Sequence, residues 1–214
     1  MLNIQKFEVN PIRENCYVVS DETKEAVIID CGAYYEEERQ AIVDYITEND
    51  LKPKHLLATH GHLDHNFGNN TIFDNYGLKP EVSDGDEEYM LGLKQQASDM
   101  FGMDIDYDFP AIDHYFEDGE TIKFGSHEFS IIKTPGHTNG SVAFYCKEEK
   151  VMFTGDTLFK SSIGRTDFKG GSSFMIMLSL RELAQLPDDT IVLPGHGEQT
   201  SIGYELASNP YMDR

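Results

Sequence analysis

Apolar and polar positions alternate through the first thirty residues, in LNIQKFEV and NCYVVSD, and the run EAVIID closes this stretch at Cys31-Gly32. A period of two is the signature of half-buried strands, so an opening antiparallel meander is predicted, with EAVIID its most buried member. The period then changes. Ile42, Tyr45 and Ile46 recur at helical spacing behind Glu36, Glu37 and Glu38, which predicts an amphipathic helix over residues 34–49, with Pro53 as its stop. HLLATH follows as a short strand, and the chain leaves it through GHLDHNFGNN, a loop of His, Asp, Asn and Gly.

Between residues 84 and 120 the pattern is helical again: Met90, Leu93, Ala97 and Met100 share a face, in a segment whose one basic residue is Lys94. A surface helix with a solvated acidic face is expected here. The aromatic residues behind it, Tyr107, Phe109, Tyr115 and Phe116, are read as packing on the body in preference to forming a lid. Residues 121–155 return to strands, in TIKF, HEFSIIKT, SVAFYC and KVMFTG, and are predicted to build a second sheet. A loop from Asp156 to Gly171, a helix from Ser173 to Leu186 and a last strand in TIVLPGHG follow. Two blocks of strands and helices imply a layered α/β or α+β sandwich, and 214 residues without repeat or low-complexity linker suit one domain over 1–214.

Composition narrows the function classes. Apolar residues make up 39% of the chain, and no apolar run approaches the roughly 18–20 residues of a membrane span, so a soluble protein is expected. A formal charge of −21 would repel a phosphate backbone, which argues against a nucleic-acid partner. The start MLNIQKFEVNPIREN has neither a basic head nor an apolar segment, and Cys16, Cys31 and Cys146 are odd in number and far apart. Both features point to a reducing cytoplasm.

The chemistry is concentrated in His60-Gly61-His62-Leu63-Asp64-His65, three imidazoles and a carboxylate directly after a predicted strand. Neutral imidazole and carboxylate suit zinc, iron or manganese, and the lack of cysteine argues against a closed structural zinc site. Further signals stand at predicted strand ends: Thr134-Pro135-Gly136-His137, Phe153-Thr154-Gly155-Asp156 and Leu193-Pro194-Gly195-His196. Singly, a His or Asp after a glycine is ordinarily a surface or capping residue; together with the first motif, they point to one metal centre. His55, His114 and His127 lie outside these motifs and read as satisfied or solvent-facing side chains. Lys160, Arg165 and Lys169 form a basic loop after Asp156, suited to drawing in an anionic substrate; the bland alternative is a solvated loop with Arg165 paired to Asp167.

The order H-x-H-x-D-H, a lone His in a Gly-His-Thr turn, Gly-Asp, then Gly-His resembles the metallo-β-lactamase fold superfamily, and within it the short glyoxalase II-like (hydroxyacylglutathione hydrolase-like) branch. Asn15-Cys16-Tyr17 and Ile29-Asp30-Cys31-Gly32 stand where that fold has its early strands. Gly164-Arg165-Thr166-Asp167-Phe168 resembles both the short glyoxalase II-like and the persulfide dioxygenase groups. The resemblance implies a four-layer αββα sandwich of two mixed sheets flanked by helices, with the metals at one edge. It implies His60, His62 and His137 around one divalent metal, Asp64, His65 and His196 around a second, and Asp156 between them, with zinc ahead of iron or manganese.

The implied activity is hydrolysis of a small-molecule acyl thioester by a metal-bridging hydroxide, with Asp64 helping to orient it and Arg165 and Lys160 contacting substrate. A thiolate, with a pKa near 8.5, leaves readily, so no general acid is assigned. S-lactoylglutathione is the leading candidate substrate, although only eighteen residues follow His196, where full-length glyoxalase II enzymes carry a helical region that supplies part of the glutathione-binding surface. The alternatives are a persulfide dioxygenase with one iron on His60, His137 and Asp156, and a lactonase on the same dinuclear site. Flavodiiron proteins have Glu at the position of His62 and an added flavin domain, and an RNA-processing nuclease does not suit so acidic a chain.

Overall fold

The opening alternation becomes three antiparallel strands, β1 (Asn3–Val9), β2 (Glu14–Ser20) and β3 (Glu25–Ile29), with Phe7 opposite Cys16 and Tyr17 opposite Ile29. The computed structural model describes residues 1–117 and 119–213. Every residue of β2 is buried, because the strand is covered on both faces. Tyr17 and Val19 point into a core shared with the second sheet, whereas Cys16 and Val18 point to a core shared with helices.

The first sheet continues in parallel through β4 (Lys52–Leu57), β5 (Pro80–Val82) and β6 (His114–Tyr115), in the order β1-β2-β3-β4-β5-β6. Parallel neighbours require crossovers. These are α1 (Glu36–Glu48), α2 (Asn69–Tyr76), and the pair α3 (Glu87–Leu91) and α4 (Leu93–Phe101). In α1, Ile42 and Ile46 are the buried pair, and the Glu38 carboxylate accepts from the backbone N–H groups of Tyr34, Tyr35 and Asn10, fastening the helix start to the β1–β2 turn.

Proline is not what ends α1. Leu51 N–H reaches back to Ile46 O and Asp50 N–H to Thr47 O, with Asp50 in the left-handed region at φ 53°, a Schellman-type stop. Pro53 instead lies inside β4, where Ala26 faces Pro53 and Val27 faces His55; the skipped residue makes a bulge, one of the few sheet positions a proline tolerates.

The second sheet has the order β14-β13-β10-β9-β8-β7. Its strands are β7 (Thr121–Phe124), β8 (His127–Lys133), β9 (Val142–Cys146), β10 (Val151–Gly155), β13 (Ile191–Pro194) and β14 (Thr200–Ser201). The predicted loop after Asp156 contains a small hairpin, β11 (Leu158–Phe159) and β12 (Ser162–Ile163). Helix α5 (Ser173–Leu183), started by the Ser172 hydroxyl accepting from Met175 N–H, is the crossover between the parallel strands β10 and β13, and α6 (Ile202–Ser208) follows β14.

Phe129, Phe144 and Phe153 face Tyr17, Val27, Ile29 and Leu57 between the sheets, while Ala143, Met152 and Val192 face Leu180, Leu183 and Ile202 on the other side. The layers are therefore helix, sheet, sheet, helix, as expected. The single helix expected over the acidic segment is two short ones, broken at Gly92, and Met100 is exposed where Met90, Leu93 and Ala97 are buried. The aromatic tail packs on the body: Phe116 joins the inter-sheet core, and Phe109 packs with Leu63 and Phe67. Among the described residues, no helix is long and apolar enough to cross a membrane.

Phe144 is fully buried between Phe116 and Phe129. Phe144→Ala is expected to lower unfolding free energy by about 3–5 kcal/mol in denaturant titrations, and a loss below about 1 kcal/mol would mean that the sheets do not share this core. A polar clasp closes the opposite end, where His127 Nδ1 lies 3.0 Å from Asp21 and Nε2 3.1 Å from Glu149. Burial works against a charge on His127, but the bonds to Asp21 and Glu149 outweigh it and raise its pKa. A raised pKa in the folded state stabilises fully below the unfolded value near 6.5 and is lost as pH climbs through the folded value. Wild type should therefore lose more Tm than His127→Gln as pH rises from about 6.5 upward; parallel Tm curves would contradict the clasp.

Candidate metal centre

The residues that follow β4, β8, β10 and β13 meet at one end of the two sheets, and all seven sequence-predicted ligands are brought together there. His60 Nε2 lies 3.1 Å and His137 Nε2 2.9 Å from His62 Nδ1, which makes a first group of three nitrogens. Asp64 Oδ2 lies 3.2 Å from His196 Nε2 and 3.4 Å from His65 Nε2, which makes a second. Asp156 stands between the groups, with Oδ1 3.4 Å from His65 Nε2 and Oδ2 3.6 Å from His137 and 3.7 Å from His196. The close approach explains the glycine before His196: a Cβ at Gly195 would lie 2.4 Å from Asp156 Oδ1 and 2.6 Å from His65 Cε1.

Hydrogen bonds behind the cluster decide which ring nitrogens face it. The Arg165 carbonyl can only accept, so His137 carries its proton on Nδ1 and donates it at 2.8 Å, leaving Nε2 free. The Thr59 hydroxyl donates to Asp30 at 2.7 Å and thus accepts from His60 Nδ1 at 3.1 Å, which leaves His60 Nε2 free in the same way. Asp30 also accepts from Thr59 N–H and lies 3.0 Å from His65 Nδ1. Such partners fix ring orientation and raise ligand basicity. Asp30 itself takes a left-handed φ of 54°, unusual for a residue other than glycine, at the point where β3 hands over to this network.

Charge favours the ligand form at His60, His62 and the two carboxylates. Burial and the neighbouring imidazoles push His60 far down, and burial together with His137 pushes His62 down to about 4, so both are neutral at pH 7. Burial would raise Asp64 and Asp156, but the histidines around them win and hold both below their ordinary values, so both are ionised. The same carboxylates raise His65 and His196 against the effect of burial.

The set fits divalent metal. His65 Nε2 and Asp156 Oδ1 are buried and have no hydrogen-bond partner among the described residues, although each faces the other groups. Lone pairs aimed at lone pairs are stable around a cation, and the separations approach the edge of about 3.3 Å of a tetrahedron whose donors stand about 2.0–2.1 Å from its centre.

Sequence reasoning missed the residues that hold the ligand loop. Asn66 Nδ2 donates to His60 O and His62 O, while Gln96, from α4, accepts from Leu63 N–H and donates to Gly61 O. Tyr89 meets the His62 ring edge-on at 4.8 Å, and Phe168 meets it at 5.3 Å. Glu14, wholly buried on β2, stands 3.8 Å from His65 Nδ1, and burial pushes its carboxyl up. An Asn, a Gln and a Glu within polar stretches carry no pattern that would have marked them.

The two predicted substrate-binding cations are exposed and paired. Arg165 forms a fork with Asp167 at 2.9 and 2.8 Å and lies 4.3 Å from the centre of the Phe168 ring; Lys160 pairs with Glu198. The Arg165–Asp167 pair is the bland alternative of the sequence reading, yet it places the guanidinium on the ring that faces His62 and His137.

Comparison with known proteins agrees with the geometry. A model of the metallo-beta-lactamase superfamily matches residues 9–196. The chain is 37% identical to hydroxyacylglutathione hydrolase GloC of Haemophilus influenzae, over 99% of each chain. Its fold is similar to that of the B3 metallo-beta-lactamase BLEG-1, with a TM-score of 0.89, 33% identity and 99% of both chains covered. It is also similar to TTHA1623 solved in a di-iron-bound form, with a TM-score of 0.84 and 32% identity, covering 97% of this chain and 100% of the other.

Metal-stripped protein titrated with zinc or iron is expected to take up about two ions per chain, and a His65→Ala, His196→Ala double variant about one. Equal uptake by both proteins would remove the second group from the site.

Proposed function

The chain belongs to the metallo-β-lactamase superfamily, with hydroxyacylglutathione hydrolase relatives, and from that premise we propose that it is a metal-dependent hydrolase that cleaves acyl thioesters at a dinuclear centre. The observation that carries this reading is the complete second group: Asp64, His65 and His196 converge beside the three imidazoles, with Asp156 between the groups. A dioxygenase with one iron on His60, His137 and Asp156 would leave Asp64, His65 and His196 without a task.

His60, His62 and His137 would hold one metal and Asp64, His65 and His196 the other, with Asp156 shared. Two bound divalent ions would supply an activated water and polarise the acyl carbonyl. The residues supply order and charge around that chemistry. Asp64, held ionised and 3.2 Å from His196 Nε2, offers a fixed acceptor toward the attacking water. Tyr89 and Phe168 cover His62 and keep water from that side. Arg165 and Lys160 are the cations offered to an anionic thioester, glutathione conjugates first among them. Their present partners are exposed side chains, and exposed pairs are screened by water and salt, so a substrate carboxylate can compete for the cations. Three buried free cysteines suit a reducing compartment, and we place the protein in the cytoplasm.

The metal-loaded protein is expected to release free thiol from an acyl thioester without consuming oxygen. Asp64→Asn should slow turnover by about 10–100-fold with little change in circular dichroism. Oxygen uptake with glutathione persulfide, together with no thiol release from a panel of glutathione and neutral thioesters, would replace the hydrolase with the dioxygenase. Cleavage of lactones alone would replace it with a lactonase.

A further inference from the structure

Among the described residues, the acidic segment after β5 contains one carboxylate with no access to solvent, that of Asp86. Oδ2 accepts from Gly61 N–H at 2.8 Å and from the Thr138 hydroxyl at 2.7 Å, and Oδ1 accepts from Gly140 N–H at 2.8 Å. Gly61 lies between His60 and His62, and Thr138 directly follows His137. One buried side chain thus joins the two turns that carry all three imidazoles of the first group. The contact is tight enough to dictate sequence, since a Cβ at Gly140 would lie 2.5 Å from Asp86 N and 2.7 Å from its Cγ.

The bonds are polarised in one direction. Because the Thr138 hydroxyl donates to Asp86, its oxygen accepts from Ser141 Oγ, 2.7 Å away, and Ser141 Oγ in turn accepts from Thr138 N–H at 3.1 Å. Three donors converging on a carboxylate make charge-assisted bonds, stronger and shorter than neutral ones. The second group is tied elsewhere: the Asp64 carbonyl accepts from Asn10 Nδ2 at 2.8 Å, in the β1–β2 turn. Asp30 reaches both groups, through Thr59 to His60 and directly to His65, whereas the Asp86 carboxylate bonds to the turns of the first.

We propose that Asp86 is a positioning residue for the first metal alone, holding the His60–His62 turn and the His137–Gly140 turn at the separation that lets their three imidazoles share one ion. This rests on the metal-centre reading given under Proposed function. An amide in its place keeps the shape but turns N–H groups toward at least one of three donors, so the two turns should separate while Asp64, His65 and His196 stay in place.

The test is a zinc titration of metal-stripped wild type, Asp86→Asn and Thr138→Val against a chromogenic chelator, with the visible absorption of the cobalt-loaded proteins as a second readout. Asp86→Asn should weaken one of the two sites by about 10–100-fold, leave the other unchanged, and alter the cobalt band of the weakened site only. Thr138→Val, which removes one of the three donors, should show a smaller loss at the same site, and it decides the matter if Asp86→Asn fails to fold. A lowered Tm with both affinities and both cobalt bands intact would make Asp86 a residue of the fold only and overturn the proposal. Equal loss at both sites would overturn it as well. Wild type that takes up no more than one ion would instead overturn the metal-centre reading, and the inference with it.

Discussion

Lone pairs held against lone pairs are the constraint on which this structure depends. His62 Nδ1 has two imidazole nitrogens within 3.1 Å, and Asp156 has carboxylate oxygens within 3.7 Å of three more, in a pocket where, among the described residues, no lysine or arginine is paired with them. Buried charge of this kind is costly without a partner. The fold can impose it because each ligand is set by a rigid neighbour: one comes from a strand end, the next from a turn whose backbone is already bonded, and the last from a β13 turn against which glycine alone can pack. Parallel pairing of β10 with β13 brings Asp156 and His196 side by side, and the face-to-face stacking of the sheets carries β4 and its loop to the same end. Burial between the sheets, dominated by Phe129, Phe144 and Phe153, therefore stabilises the electrostatic arrangement as well as the fold.

The distribution of charge follows from the same constraint. A chain of net charge −21 would be expected to repel an anionic substrate, yet the loop beside Asp156 concentrates Lys160, Arg165 and Lys169. Each is held by an acid, Glu198, Asp167 or Glu88, on the surface, where such pairs are weak and screened by salt. Arg165 differs from the lysines. Its carbonyl orients His137 while its guanidinium stacks on Phe168, so one residue links loop conformation to the ligand set, and a substrate that displaces Asp167 would act on that link.

How much of this was legible in the sequence depended on where the information lay. The candidate ligands were legible because H-x-H-x-D-H is local and because each remaining candidate follows a strand that announces itself by burial, as VMFTG does before Asp156. Helix α1 was legible through Ile42 and Ile46, but its end was not: a Schellman stop at Asp50 depends on backbone bonds, and Pro53 was the louder signal. Helices α3 and α4 were read as one because Gly92 interrupts neither the charge nor the apolar stripe. Strand β6 is two residues long and is defined by pairing with β5, a relation with no periodicity. The supports were the least legible. Asp86 and Gln96 lie in a segment whose acidity reads as solvated surface, and only the fold, by folding that segment back over His60–His65, turns two ordinary polar residues into buried ones.

Exposure then distinguishes the rim of the centre from its interior. His60, His62, His137, Asp64 and His65 are at most 4% exposed, with Tyr89 and Phe168 packed on His62, whereas the His196 side chain is 23% exposed and that of Asp156 12%. The Asp156–His196 side is therefore the face of the centre that is open to solvent, and the interior is the drier setting, where electrostatic interactions are strongest. Burial and the neighbouring imidazoles push His60 and His62 toward neutrality, while Asp64 and Asp156 pull both the buried His65 and His196 at the rim the other way. One cluster thus contains a buried interior and an accessible rim, with Asp86 bonded behind the first group, Asn10 behind Asp64, and Asp30 reaching both groups through Thr59 and His65.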